Sequence, residues 1–260
     1  IGNGVAVGPG NNIYVTGEQE TNGKDMFLRK YDSAGNFQWM QTYNSGASQW
    51  DYGWGVAVGS DNNIYVAGWH VPGGAEMFLS KYDSAGNFQW IQSYSFGSPQ
   101  WGYGYGVAVD SGNNIYVTGG HAINSGDMVL RKYDSAGNFQ WMQTYNGGGT
   151  QQDWGGDVTI DSGNNIYVTG HQGTNGDDMF LRKYDSSGNF QWMQTYDSGG
   201  SQTDWGNGVA VDSNGNIDIV GYNGNDAVVW QYDGGGGSGG GGVDCGLRAF
   251  DGTATVTIDC

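Results

Sequence analysis

Proline is nearly missing from this 260-residue chain, with three in all, and glutamate occurs only as Glu18, Glu20 and Glu76. Basic residues are also few: nine Lys and Arg stand against 26 Asp and Glu, for a net charge of −17. A chain without a basic footprint is a poor partner for a phosphate backbone, which excludes nucleic acid as the expected ligand. No run of 18 apolar residues occurs, so no helical membrane span is expected. No Gly-x-Ser-x-Gly elbow, phosphate loop or His-Glu-x-x-His motif is present. Both cysteines, Cys245 and Cys260, lie in the last 16 residues, where they are expected to form one disulfide and to point to an oxidising compartment. Ile1 stands inside the repeating pattern described next, with neither Met nor a signal sequence before it; processing and an incomplete N-terminus each account for that.

What the chain has in abundance is glycine, 51 residues, together with 14% aromatics. That combination fits many short strands joined by tight turns, and neither a disordered nor a collagen-like chain. The segments "GVAV", "GVAV", "GVAV", "DVTI" and "GVAV" begin at Gly4, Gly55, Gly106, Asp157 and Gly208, 51 residues apart each time. Each is followed by a run like "NNIYVTG", then one like "DMFLRKYD". In the first four units "NFQWMQTY" or a near variant comes next. Turns such as "DSGNN" and "DSAGN" divide them, where Asp, Asn and Gly suit Asx turns and positive φ. Seven of the nine basic residues belong to the repeated third run, so their clustering follows from repetition.

Four strands in about 50 residues, repeated without any 3.6-residue apolar period, predict a propeller blade. The fold expected is all-β: a five-bladed β-propeller of four-stranded antiparallel blades over residues 1–233, with blades at about 4–54, 55–105, 106–156, 157–207 and 208–233. The small first strand is expected innermost, and the fourth, with Phe37, Trp39 and Tyr43, outermost.

The unit resembles the SBBP repeat of bacterial and archaeal surface proteins. The resemblance is carried by Gly-Val-Ala-Val, the Asn-Ile-Tyr-Val-Thr-Gly run, Lys-Tyr-Asp-Ser-Ala-Gly-Asn and the following Trp, across residues 4–233. It implies a secreted or surface propeller, and no defined activity. The count departs from the family name, five units rather than seven.

The fifth unit stops after "AVVWQYD", where "GGGGSGGGG" (234–242) replaces the expected fourth strand. Val228, Trp230 and Tyr232 would then form an apolar sheet edge open to another strand. The tail, 243–260, reads as a hairpin pinned by Cys245 and Cys260, which closes the fifth blade in cis or adds to a neighbouring molecule in trans.

Loops that vary on a constant scaffold are where function is expected. The crossings between blades carry Trp50, Asp51, Trp54, Trp101, Tyr103, Asp153, Trp154, Asp204 and Trp205, aromatics beside carboxylates that suit sugar rings and hydroxyls, although packing between blades accounts for such aromatics as well. His70, His121 and His171 follow the second strand of three different units. They diverge from the axis and predict no metal site. The Asp-rich turns, including Asp110, Asn113, Asn114, Asp134 and Asn138, give only a weak signal for calcium, because Asx capping accounts for them. The function expected is therefore a non-enzymatic extracellular or cell-surface module for structure or assembly, such as a filament or surface-layer subunit. Self-association, or association with other surface proteins, is its expected partnership. A lectin-like carbohydrate-binding propeller is the alternative, and a glycan-active enzyme the more distant one.

Overall fold

The computed structural model describes all residues except 21–22, 47, 73, 98–100, 122–125, 149–151, 174–175, 200–202, 225, 233–246 and 251–260. Cys245 and Cys260, and with them the expected disulfide and the second half of the expected hairpin, lie outside the described residues. The chain divides into two compact units, Ile1–Tyr145 and Asn146–Cys260.

The 51-residue period becomes five antiparallel four-stranded sheets, each a meander in which neighbouring strands follow one another in sequence. The first unit holds three. The first sheet runs through Gly2–Gly8, Asn12–Glu20, Lys24–Tyr31 and Phe37–Tyr43; the second through Asp51–Val58, Ile64–His70, Glu76–Tyr82 and Phe88–Tyr94; the third through Gly102–Val109, Ile115–His121, Asp127–Tyr133 and Phe139–Tyr145. The second unit holds two, from Trp154–Ile160, Ile166–Gly173, Asp177–Tyr184 and Phe190–Tyr196, and from Asp204–Val211, Ile217–Asn223, Asp226–Tyr232 and Leu247–Phe250.

The turns form for the reason their composition suggests. Asp83 Oδ1 accepts the N–H groups of Ala85 and Asn87 at 2.9 Å each, while Gly86 takes the positive φ of +89° that closes the loop. Asp32, Asp134 and Asp185 repeat the arrangement. The Asn side chain that closes each turn donates to the other carboxylate oxygen, and with these backbone N–H groups it holds Asp32, Asp83, Asp134, Asp185 and Asp212 below the usual carboxylate range.

The core lies in the two middle strands. Ile64, Val66, Met77 and Leu79, and their counterparts Ile166, Val168, Met179 and Leu181, are almost wholly buried. Thr16, Thr118 and Thr169, also buried, satisfy their hydroxyls on the third-strand carbonyls of Phe27, Val129 and Phe180 at 2.9 Å. Glycine in the first strand lets one sheet approach the next: a Cβ at Gly53 would strike Thr16 Oγ1, and one at Gly206 would strike Thr169 Oγ1. The basic residues lace neighbouring sheets. Lys81 donates to Ser135 O at 2.9 Å, and the Arg131 guanidinium lies 3.5 Å from the centroid of Tyr94.

The fifth sheet bears on the two alternatives left open for its edge. Its fourth place is filled within the chain, by Leu247–Phe250, which pairs antiparallel along Ala227–Trp230. Val228 and Trp230 are buried and Tyr232 is half-buried, its ring 4.9 Å from that of Trp192. Of the two alternatives for that edge, closure in cis and addition in trans, the first is the one present along Ala227–Trp230. A strand's unpaired N–H and C=O groups are satisfied by whichever strand is tethered closest, and nine Gly/Ser residues span more than the roughly 5 Å step between strands.

Candidate functional site

The repeat phase directly after the second-strand glycine carries a different residue in every unit: Glu18, Trp69, Gly120, His171 and Tyr222. Among constant neighbours, this position has been free to diverge. In the second unit it lines a pocket of about 400 Å³ walled by Gln152, Trp154, His171, Asp177 and Trp205. His171 lies in the second half of the buried second strand of the fourth sheet, Ile166–Gly173, and packs on Trp205, ring centroids 4.0 Å apart. The imidazole is 4% exposed, and its Nδ1 has no hydrogen-bond partner among the described residues. Burial pushes its pKa down to about 4, so the ring is neutral at physiological pH.

Asp177 opens the third strand and is bridged to Thr203 of the following crossing. Burial raises its pKa, the neighbouring Asp178 adds to the effect, and a hydrogen bond with Thr203 opposes it. Tyr222 belongs to the same neighbourhood. Its ring stands 6.0 Å from that of Trp205, and burial followed by the charge of Asp177 raises its hydroxyl pKa. Together they form a half-enclosed space with two indole walls, a neutral imidazole and a carboxyl shifted toward protonation.

The first unit holds a second cleft of about 340 Å³, whose walls include Trp50, Trp69 and Trp101. Trp69 is fixed by stacking on Tyr52, centroids 4.4 Å apart, and by the edge of Tyr103 at 5.3 Å.

The residues singled out from the sequence thus divide by role. Trp50 and Trp101 line the tryptophan cleft, and Tyr103 supports it. Trp154 and Trp205 line the histidine pocket. Trp54 lies against Tyr105 instead, and is not among the residues lining either. Asp51, Asp153 and Asp204 are buried and hold the crossing loops: Ser45 N, Gly147 N and Ser198 N donate to them at 2.8, 2.8 and 2.7 Å. Trp69, His171 as a pocket residue, and Asp177 were not found from sequence; for Trp69 and His171 the signal was divergence at one repeat phase, and Asp177 lies six residues beyond it.

His70 is enclosed, with the Tyr43 hydroxyl 3.1 Å from Nδ1 and Ser93 Oγ 2.9 Å from Nε2. His121 packs on Phe96 in a tilted pair, ring centroids 4.5 Å apart. Among the described residues, oxygens of Asp178, Asp197 and Asp204 gather within 4.8 Å of one another. At the matching place in the first unit, Asn44 relieves the charge by donating to Asp25 at 2.8 Å.

No family model matches the chain, and no curated protein matches it. Solved structures match by fold. A periplasmic gluconolactonase of Pseudomonas aeruginosa superposes with a TM-score of 0.67 at 12% identity, over 97% of this chain and 73% of its own. An ulvan lyase, a polysaccharide lyase, gives 0.54 at 14%, over 89% and 67%. An exo-β-1,3-galactanase of Clostridium thermocellum gives 0.54 at 14%, over 95% and 58%. At such identities the likeness shows the fold alone.

These neighbours nonetheless correct the expectation of a non-enzymatic module for structure or assembly, such as a filament or surface-layer subunit: each is named for an enzyme that acts on carbohydrate. The expectation failed for a physical reason. It rested on the absence of contiguous catalytic motifs, whereas sheets packed side by side assemble a site from residues of separate repeats. Among the described residues no helix is long and apolar enough to cross a membrane.

Proposed function

We propose that this protein is a carbohydrate-active enzyme, built as a five-bladed propeller and working outside the cytoplasm, with its chemistry in the His171–Asp177 pocket. The observation that carries the proposal is the pairing, in one pocket walled by Trp154 and Trp205, of a buried imidazole whose Nδ1 has no hydrogen-bond partner among the described residues and a carboxyl of raised pKa. Perturbed titratable groups in a cleft are what acid–base catalysis requires. Support for the substrate class comes from the carbohydrate activities named for three proteins of the same fold, and from indole walls suited to the C–H face of a pyranose. Support for the compartment comes from the periplasmic neighbour and from the resemblance to surface-protein repeats.

The roles follow from protonation. His171, neutral across the physiological range, holds a substrate hydroxyl or carbonyl oxygen by a hydrogen bond. Asp177, whose carboxyl is shifted by burial toward the protonated form, exchanges the proton with the reacting oxygen. Asp177 is the one carboxylate among the described lining residues, and sugar lactone or ester hydrolysis needs only one such group beside an oriented water, whereas a glycosidase uses two.

The test is turnover of a panel of sugar lactones, acetylated sugars, neutral and acidic polysaccharides and aryl glycosides. Wild type is expected to turn over at least one, and Asp177→Asn to lose about a hundredfold or more in kcat/KM. An inactive wild type, or a fully active Asp177→Asn, overturns the assignment.

A further inference from the structure

We propose that the cleft walled by Trp50, Trp69 and Trp101 is a second, non-catalytic binding site, and that its ligand is an uncharged glycan chain. The inference begins with repeat phase. Positions 102 residues apart line both cavities: Trp50 corresponds to Gln152, Trp69 to His171 and Ala75 to Asp177. The two cavities are the same junction in successive pairs of repeats. In one copy the phase positions carry an imidazole and a carboxyl; in the other they carry indoles and a methyl group. The tryptophan copy keeps the concavity and lacks every proton-transfer group among its lining residues, so it can hold a ligand and not transform it.

The geometry suits a sugar. Trp50 and Trp101 are 53% and 55% exposed, well beyond what core tryptophans show. Trp69 cannot swing away, because Tyr52 and Tyr103 clamp it from two directions. Flat, preordered indoles bury the C–H face of a pyranose at little entropic cost, and Ser48 and Gln49 on the rim offer hydroxyl and amide groups for its hydroxyls. Concavity at this phase is not automatic. At the first junction the equivalent positions carry Glu18 and Lys24, an ion pair at 3.9 Å with Lys24 also 5.0 Å over Tyr52.

Charge selects within glycans. The lining residues, Ser48, Gln49, Trp50, Trp69, Trp101 and the small apolar ones, include no cation, and the chain carries −17 overall. A uronate or sulfated polymer would approach against a repulsive field and meet no counter-ion, so the ligand is neutral.

The sugar class rests on the same chemistry as the proposed function, and the experiment separates the two. Affinity electrophoresis and titration calorimetry on the full chain would use neutral galactan, glucan and xylan chains beside polygalacturonate and alginate. Binding of at least one neutral chain and of neither polyanion is expected. Trp101→Ala and Trp50→Ala should each weaken it by about tenfold, the loss of one stacking contact, while Trp54→Ala, an exposed tryptophan outside the cleft, should stay within about twofold of wild type. Because Trp50 and Trp101 are exposed, their replacement leaves the fold intact, which circular dichroism checks. Asp177→Asn should keep the affinity. No binding of any neutral chain, binding of polyanions alone, or Trp101→Ala indistinguishable from Trp54→Ala each overturns the proposal. If Trp205→Ala abolishes binding and Trp101→Ala does not, the second site falls and the enzyme assignment stands. Binding lost in Trp101→Ala without any turnover by wild type gives the converse.

Discussion

Asp157 stands where the other four units have glycine, and the exchange has a measurable consequence. Its carboxylate accepts the Val209 N–H at 3.0 Å, yet burial pushes its pKa up to about 6. The folded state therefore holds the proton more tightly than the unfolded chain, whose carboxyl titrates near the ordinary 3.8. Stability from this group is fully present below that value and is lost as pH rises through about 6. Asp157→Asn keeps an acceptor for Val209 without the charge. It should raise the melting temperature at pH 7 to 8, with the gain vanishing below about pH 4 in a calorimetric pH series. His70 and His171 act in the opposite sense. Burial lowers both to about 4, so the unfolded chain, with histidines near 6.5, binds more protons between those values. Stability should fall as pH drops through that window. His70→Gln, which removes one titration, should make the fall shallower in denaturant midpoints measured at each pH.

Each element is decided by a short stretch and then tightened by its neighbour. The Asp-Ser-Ala-Gly-Asn turn needs its glycine at positive φ in every copy, but the surroundings differ. At Gly35 an added Cβ would meet nothing within 4 Å, whereas at Gly86 it would press on Trp39 of the preceding sheet at 3.0 Å. Gly35→Ala should cost about 1 kcal/mol from backbone strain alone, and Gly86→Ala distinctly more, read as paired shifts in urea midpoint. This marks how far sequence could be followed. The turn type, strand count and antiparallel order were legible because they depend on residues within one unit. That Trp39 rests on the next unit's turn was not, because a period-2 pattern says which side of a strand is covered and not by what.

For the molecule as a whole, the strand Leu247–Phe250 is part of the fold. Removing residues 234–260 strips Leu247–Phe250 from the fifth sheet and leaves the strand bearing Val228 and Trp230 as an open edge. The truncated chain should melt at lower temperature and scatter light at concentrations where the full chain does not, since apolar edges recruit other strands. Full stability after truncation would show that the fourth strand contributes little. The candidate sites belong to this scale too. Trp50, Trp101, Trp154 and Trp205 were visible as aromatics in variable crossings, but the partners that give them meaning, Trp69, His171 and Asp177, come from second and third strands that looked purely structural. Divergence of one repeat phase among Glu18, Trp69, Gly120, His171 and Tyr222 was the trace that Trp69 and His171 left in the sequence.

By itself the sequence determined the 51-residue unit, its four strands, its Asp-capped turns and an acidic surface unsuited to polyanions, because each follows from local hydrogen bonding, side-chain alternation or summed charge. Only the tertiary structure decided which crossing aromatics stay open, which carboxylates are consumed in holding loops, and that Leu247–Phe250 completes the fifth sheet across a glycine-rich gap. Those outcomes depend on how one sheet lies against the next. Contacts between residues tens of positions apart are set by shape and burial, which no single unit encodes.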